Sequence, residues 1–381
     1  MKNKIILIDA SYIKNIESLK KSIALYLMRF LDNLNDTEQE LKLICRRELY
    51  DFFYDKYNSR FSEIIVFEQN MKSKVGFIQS LMDAFSWKKN VNKIKADVVY
   101  IPYTWIWNSL KINKIKVITI HDLKPMKELM GTNAKKLRFL KPLILSIFKI
   151  FYKTAIKNAS EVIAITEYVK NDIIKQLNIK SNKIKVIYDC VAFETIKKQE
   201  VKELQDKKFI LCVNTIDQFK NTITLIKAFL ALDNKDYYLV LVGKETSYWR
   251  EVCLPLVNEH VIRLNYVTEE ELSWLYEKAS LFVTPSLREG LGITPIEAAV
   301  RNCPVISSKS EALPEATMGL VYYYEPATDD NALCEKIDLV LRQRDIDPEF
   351  NNKMNKIGDE FRTRYSVHEF PKNILSILLK G

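Results

Sequence analysis

The sequence predicts an α/β protein built from two doubly wound, Rossmann-like domains. Three observations carry that expectation. Short apolar, β-branched runs alternate with longer helical patterns along the chain. The runs are continuously apolar, as strands are in a parallel sheet covered on both faces. The rhythm occurs twice, and 381 residues are enough for two domains of ordinary size.

In the first half, KIILID (4–9), LKLICR (41–46), EIIVFE (63–68), DVVYIP (97–102), KVITIH (116–121) and EVIAIT (161–166) read as buried strands. Helical patterns separate most of them, for example at 17–34 and 77–95. The second half repeats the pattern with KFILCV (208–213), YYLVLVG (237–243), VIRLNYV (261–267), SLFVTP (280–285) and CPVISS (303–308). Between the halves, 188–207 lacks strand character and is rich in charge. This divides the chain into domains 1–190 and 191–365. The apolar and basic pattern of 366–381 predicts a C-terminal helix packing back on the first domain. Ligands of such sheets bind beyond the carboxyl ends of the strands, so the expected site is the cleft between the domains.

Composition narrows the function classes. The apolar fraction, 48%, is that of a globular chain. A net charge of +10 favours anionic partners such as nucleotides, nucleic acid or an acidic membrane surface, without choosing among them. The lysines are spread along the chain and form no basic stripe with interleaved aromatics, so nucleic acid is not the expected partner. Six scattered cysteines without a CxxC read as buried, reduced thiols. Three histidines far apart in sequence give no zinc pattern. The N-terminal apolar run is too short for a signal peptide, and no apolar stretch is long enough to span a bilayer. The expected location is the cytoplasm, either in solution or on the inner face of the membrane. The segment AKKLRFLKPLILSIFKIFYKTAIK (134–157) carries seven basic residues in an apolar setting. It reads either as an interfacial helix drawn to anionic lipid or as a core-flanking helix with a solvated face.

The most informative stretch is REGLGITPIEAA (288–299). The chain has only 8 glycines, yet Gly290 and Gly292 both fall here, between Glu289 and Glu297. The pattern predicts a helix start with Thr294 at the N-cap, Pro295 in the first turn and Glu297 closing a capping box. Glu297 therefore has a structural reading as well as a binding one. Two glycines let the backbone bend tightly and approach a ligand closely. The N–H groups of such a turn, with a helix start, make an anion site. Carboxylates on either side are poor phosphate ligands but good acceptors for hydroxyls. A phosphate group flanked by hydroxyls on both sides describes a nucleotide sugar.

These residues resemble the E-x7-E signature of the retaining glycosyltransferases of family 4, whose GT-B fold sets two Rossmann-like domains across a cleft. Further blocks in the same order resemble that family: TIHDLKP (119–125), EVIAITEYVKNDI (161–173), FILCVNTIDQFKNTITLIKAF (209–229), VTEEELSWLYEKASLFVTPSLREGLGITPIEA (267–298) and SEALPEATMGLVYYYEPATDD (310–330). The resemblance implies roles for individual residues. Glu297 would bond the ribose hydroxyls and Glu289 the hydroxyls of the transferred sugar. The backbone of Gly290, Leu291 and Gly292 would hold the diphosphate or sugar. Lys220 would offset the charge of the departing diphosphate, and His121, with Asp122 beside it, would contact the sugar near the reacting carbon. The family often has an arginine with the lysine; here the loop reads DQFKN, and Lys244 is a candidate for the second cation. The glycine-rich turn that often follows the first strand is also absent.

The implied activity is transfer of a hexose from a nucleoside diphosphate sugar to a saccharide or lipid-linked saccharide hydroxyl. The implied setting is the assembly of a bacterial surface polysaccharide such as O-antigen or capsule. Neither cofactor nor metal is expected, and the DxD of Asp345 and Asp347 reads as a helix stop. GDP-mannose is the favoured donor, with dTDP-rhamnose and UDP-sugars open. Two other readings of the sequence exist: a non-hydrolysing UDP-sugar epimerase on the same fold, which the ordered blocks disfavour, and a basic nucleic-acid-binding protein.

Overall fold

The computed structural model describes residues 3–34, 37–68, 76–104, 109–123, 126, 141–180, 182–192, 197–214 and 216–380. The chain divides into two compact units, one formed by 1–189 with 367–381 and the other by 190–366. Each is organised by one sheet.

The first sheet has seven strands: β1 (Ile5–Asp9), β2 (Glu40–Cys45), β3 (Glu63–Val66), β4 (Val98–Ile101), β5 (Ile115–Ile120), β6 (Glu161–Ala164) and β7 (Ile184–Val186). The second has six: β8 (Lys208–Val213), β9 (Tyr237–Val242), β10 (Val261–Leu264), β11 (Leu281–Thr284), β12 (Val305–Ser308) and β13 (Tyr322–Tyr324). The helices used below are α1 (Ser22–Asp32), α2 (Lys141–Lys157), α3 (Glu167–Leu177), α4 (Thr222–Leu230), α5 (Glu269–Lys278), α6 (Ile293–Ala299), α7 (Asp330–Ile346) and α8 (Glu369–Lys380).

The spatial order is β3-β2-β1-β4-β5-β6-β7 in the first sheet and β10-β9-β8-β11-β12-β13 in the second. Every pairing among the described residues is parallel. Both sheets therefore follow the doubly wound order, and both reverse direction at one point: beside β1 and β4 in the first, beside β8 and β11 in the second. The central strands β4 and β11 are buried along their whole length, which is why they carry apolar residues on both faces. Strands β7 and β13 lie outside the eleven runs expected from the sequence. Each spans only three residues at a sheet edge, too short for a periodic signal.

In the second unit, Leu225, Ile226 and Phe229 of α4 pack with Leu333, Ile337 and Val340 of α7 over Ile210, Leu239, Leu241 and Leu281 of the sheet. Each such side chain removed from water contributes roughly 1.5–3 kcal/mol. That packing holds the loops after β8 and β11 on a rigid base. In the first unit, the Phe370 ring of α8 meets Tyr26 and Phe30 of α1 edge-on, at 5.1 and 6.4 Å between centroids. Lys4 also donates to the Leu379 carbonyl at 2.9 Å.

Helix starts follow local chemistry. Thr166 caps α3, its hydroxyl accepting from the Val169 N–H at 3.0 Å. Thr268 and Glu271 form a reciprocal capping box at α5. Asp347 ends α7, its carboxylate accepting from the Glu349 N–H at 2.9 Å. Of the basic apolar segment 134–157, residues 134–140 lie outside the described residues. The remainder forms α2, which buries Tyr152, Ala155 and Ile156 and exposes Leu143, Lys149, Ile150, Lys153 and Lys157. Among the described residues no helix is long and apolar enough to cross a membrane.

Candidate active site

In the second unit the doubly wound order predicts a ligand beyond the carboxyl ends of β8 and β11. The loop after β8 is set by Asp217. Its Oδ1 accepts from the backbone N–H groups of Phe219 and Lys220 at 2.8 and 2.9 Å, closing a tight turn. Asn221 then adopts a left-handed conformation, φ +55°, which Asn tolerates better than most residues. Its amide donates to the carbonyls of Pro285 and Ala327 at 3.2 and 2.8 Å. The Leu287 N–H donates to the Phe219 carbonyl at 2.7 Å, tying this loop to the one after β11.

The tie brings Lys220 and Glu289 together. The Lys220 ammonium lies 2.5 Å from Glu289 Oε1, and both side chains are largely shielded from water, 22% and 14% exposed. The Glu289 N–H donates to Glu311 Oε2 at 2.9 Å, fixing the backbone at the entry to the glycine turn. Leu291 is buried and anchors that turn. Gly292 has φ +83°, and a Cβ there would lie 2.5 Å from a methyl of the buried Leu313. Both facts demand glycine. Gly243, at the end of β9, has a different reason: a Cβ there would meet the Asn214 carbonyl oxygen at 2.0 Å.

The expected capping box does not form. α6 begins at Ile293 with Gly292 as its N-cap, so Thr294 already lies inside the helix. Glu297 instead accepts a hydrogen bond from the Tyr276 hydroxyl of α5, 2.8 Å from its Oε2. A left-handed glycine starts the helix two residues early, and a phenol on a neighbouring helix takes the carboxylate.

Lys244 follows β9 and is exposed; no hydrogen bond or ion pair ties it to Lys220 or Glu289 among the described residues. A different cation stands against the site. Arg288 stacks its guanidinium on the Phe219 ring, 4.4 Å from the centroid. Its Nη1 is buried without a hydrogen-bond partner among the described residues. Its position beside Glu289 was the only sequence signal for it. Tyr276, 21 residues from Glu297, gave none. Asp217, three residues before Lys220, was legible as a turn former.

His121 and Asp122 belong to the first unit, directly after β5. His121 Nε2 lies 2.8 Å from the Pro102 carbonyl, so Nε2 carries the proton. The Tyr26 ring meets the imidazole edge-on at 4.6 Å. Burial lowers the His121 pKa from its ordinary value, opposed by the Pro102 carbonyl and by Asp189 and Asp122. The neutral imidazole is the form at pH 7, with Nδ1 as an acceptor. Among the described residues no group of three or more His, Cys, Asp or Glu is placed to hold a metal ion.

Comparison with known proteins agrees with this architecture. The chain is 26% identical over 339 residues to the O-antigen chain mannosyltransferase RfbU of Salmonella typhimurium, covering 86% of this chain and 89% of that one. Sucrose-phosphate synthase from Thermosynechococcus elongatus superposes with a TM-score of 0.74 at 16% identity, covering 99% of both chains. WaaG, a glycosyltransferase involved in lipopolysaccharide biosynthesis, superposes at 0.72 with 13% identity, covering 99% of this chain and all of that one. The family model for Glycosyltransferase Family 4 matches residues 24–194 and that for Glycosyl transferases group 1 matches 193–361, so the chain belongs to the family 4, group 1 glycosyltransferases with the GT-B fold.

Proposed function

We propose that the chain is a retaining mannosyltransferase that moves mannose from GDP-mannose to a hydroxyl of a saccharide or lipid-linked saccharide during bacterial surface polysaccharide assembly. The observation that carries this reading is the Lys220–Glu289 pair beside a glycine turn, with Glu297 on the helix that follows. The mannosyl choice is supported by the relative RfbU, itself an O-antigen chain mannosyltransferase. The glycosyltransferase relatives imply a nucleotide-sugar donor and a saccharide acceptor.

In this account Glu297 accepts from the ribose hydroxyls and Glu289 from hydroxyls of the transferred sugar. The backbone of Gly290, Leu291 and Gly292 holds the diphosphate. Lys220 turns from Glu289 toward the departing diphosphate, offsetting the charge that develops on it. His121, with Asp122 next to it, meets the transferred sugar. The acceptor oxygen bonds to the anomeric carbon on the face the phosphate leaves. The anomeric carbon–phosphate oxygen bond breaks, and the acceptor proton passes to the departing phosphate oxygen. Configuration is retained because attack and departure share a face. No step calls for a metal or cofactor.

A thermal-shift panel of GDP, UDP, dTDP and their sugars tests the assignment. Ligands that bind only the folded chain raise its melting temperature. GDP and GDP-mannose are expected to give the largest shifts. A larger shift with UDP or dTDP would overturn the donor, and no shift with any nucleotide would overturn the site.

We also propose that the protein works in the cytoplasm on the inner membrane face, without binding nucleic acid. Leu143 and Ile150, 59% and 61% exposed, stand on α2 among Lys149, Lys153 and Lys157. That combination of apolar contact and positive charge suits an anionic lipid surface. Vesicles containing phosphatidylglycerol are expected to sediment the protein at low salt and release it at high salt. Equal binding to neutral vesicles, or none to either, would contradict the proposal.

A further inference from the structure

We infer that Tyr276 is a positioning residue for the donor's ribose, its buried hydroxyl holding the Glu297 carboxylate in the orientation that receives the ribose hydroxyls. The inference rests on the reading of Glu297 given above and adds a residue that touches no substrate.

Glu297 sits in a helix of only seven residues and has three side-chain torsions to fix. The capping bond expected to hold it is not formed among the described residues. Tyr276 reaches its Oε2 at 2.8 Å. A tyrosine is a short, stiff arm with two torsions, and this one is fully enclosed at 1% exposure. The Phe282 ring of β11 packs against it at 5.6 Å between centroids. The Arg301 guanidinium lies 5.5 Å from the ring centroid. Arg301 is itself anchored on both helices, Nη1 donating to the Glu297 carbonyl at 2.9 Å and Nε to Ser273 Oγ at 3.2 Å. The hydroxyl therefore occupies one place relative to α5, α6 and β11.

The direction of the bond also matters. Burial, reinforced by the Glu297 charge, raises the Tyr276 pKa well above the ordinary phenol value. The phenol stays protonated across the working pH range, so in this bond Tyr276 is the donor and Glu297 Oε2 the acceptor. A carboxylate has about four lone-pair sites, and the phenol takes one of them. A buried tyrosine needs a partner for its hydroxyl, and a backbone carbonyl would have satisfied that need. Placement on a carboxylate of the helix that follows the glycine turn is what a purely structural role leaves unexplained.

The test compares GDP and UDP with their 2′,3′-dideoxy forms by titration calorimetry on the wild type and Tyr276→Phe. Phenylalanine keeps the ring and removes only the donor. The wild type is expected to prefer the ribose form of the nucleotide it binds by about tenfold, the scale of hydrogen bonds to a charged group. In Tyr276→Phe that ratio should fall by about fivefold or more, through weaker ribonucleotide binding with dideoxynucleotide binding unchanged. The donor KM should rise by a larger factor than kcat falls. A ratio equal to the wild type's, or equal weakening of both forms, overturns the inference and leaves Tyr276 as packing only. A wild type indifferent to the ribose hydroxyls overturns the Glu297 reading, and this inference falls with it. Should the Phe variant fail to fold, Tyr276→Leu, which also carries no donor, is expected to show the same fall in ratio; an unchanged ratio there also overturns the inference.

Discussion

Glu289→Ala is expected to lower the turnover of sugar transfer by at least ~10²-fold, on the scale of losing a preorganised polar contact in a transition state. The carboxylate is poorly exposed and already ordered before substrate arrives, held by Lys220 through its side chain and by Glu311 through its backbone. When Lys220 turns to the diphosphate, the Glu311 bond still fixes the Glu289 backbone, so the carboxylate is in place for the sugar hydroxyls, and preorganised groups gain their effect in this way. The loss should appear mainly in kcat, with nucleotide affinity changed little, because Glu289 is assigned to the sugar and not to the nucleoside. Steady-state kinetics with the donor identified by the ligand panel checks this. Transfer at a near-normal rate would remove Glu289 from the mechanism.

Lys220→Ala is expected to have an effect of similar size, about 10²-fold in kcat, because the lysine is assigned to the charge of the departing diphosphate. It should also weaken binding of the free nucleoside diphosphate, which Glu289→Ala should not. The double variant is expected to lose less than the product of the two single losses, since each substitution already disrupts the same pair. Fully multiplicative losses would mean that the two side chains act independently, against the 2.5 Å contact between them.

Much of this architecture was legible in the chain. The long apolar runs became strands because parallel strands buried on both faces must be apolar throughout, as β4 and β11 are. The three-residue β7 and β13 carry too few positions to show a period. At the site, the clustering of scarce glycines around Glu289 was readable because few other uses explain it. The helix start was misplaced because Thr294, Pro295 and Glu297 have the composition of a cap, whereas the left-handed turn at Gly292 depends on the room left beside Leu313. Tyr276 and Arg288 depend on packing between separate elements, Tyr276 across α5 and α6 and Arg288 across the loops after β8 and β11, and local sequence does not encode such pairs. The second cation that the sequence offers, Lys244, is therefore an exposed one, while Arg288 lies against Phe219.

A crystal structure with a nucleoside diphosphate soaked or co-crystallised tests the account most directly. It should show the diphosphate against the backbone of Gly290 to Gly292 with Lys220 swung onto it, and the ribose hydroxyls on Glu297. A nucleotide bound elsewhere, with Lys220 still on Glu289 and the glycine turn untouched, would contradict the account.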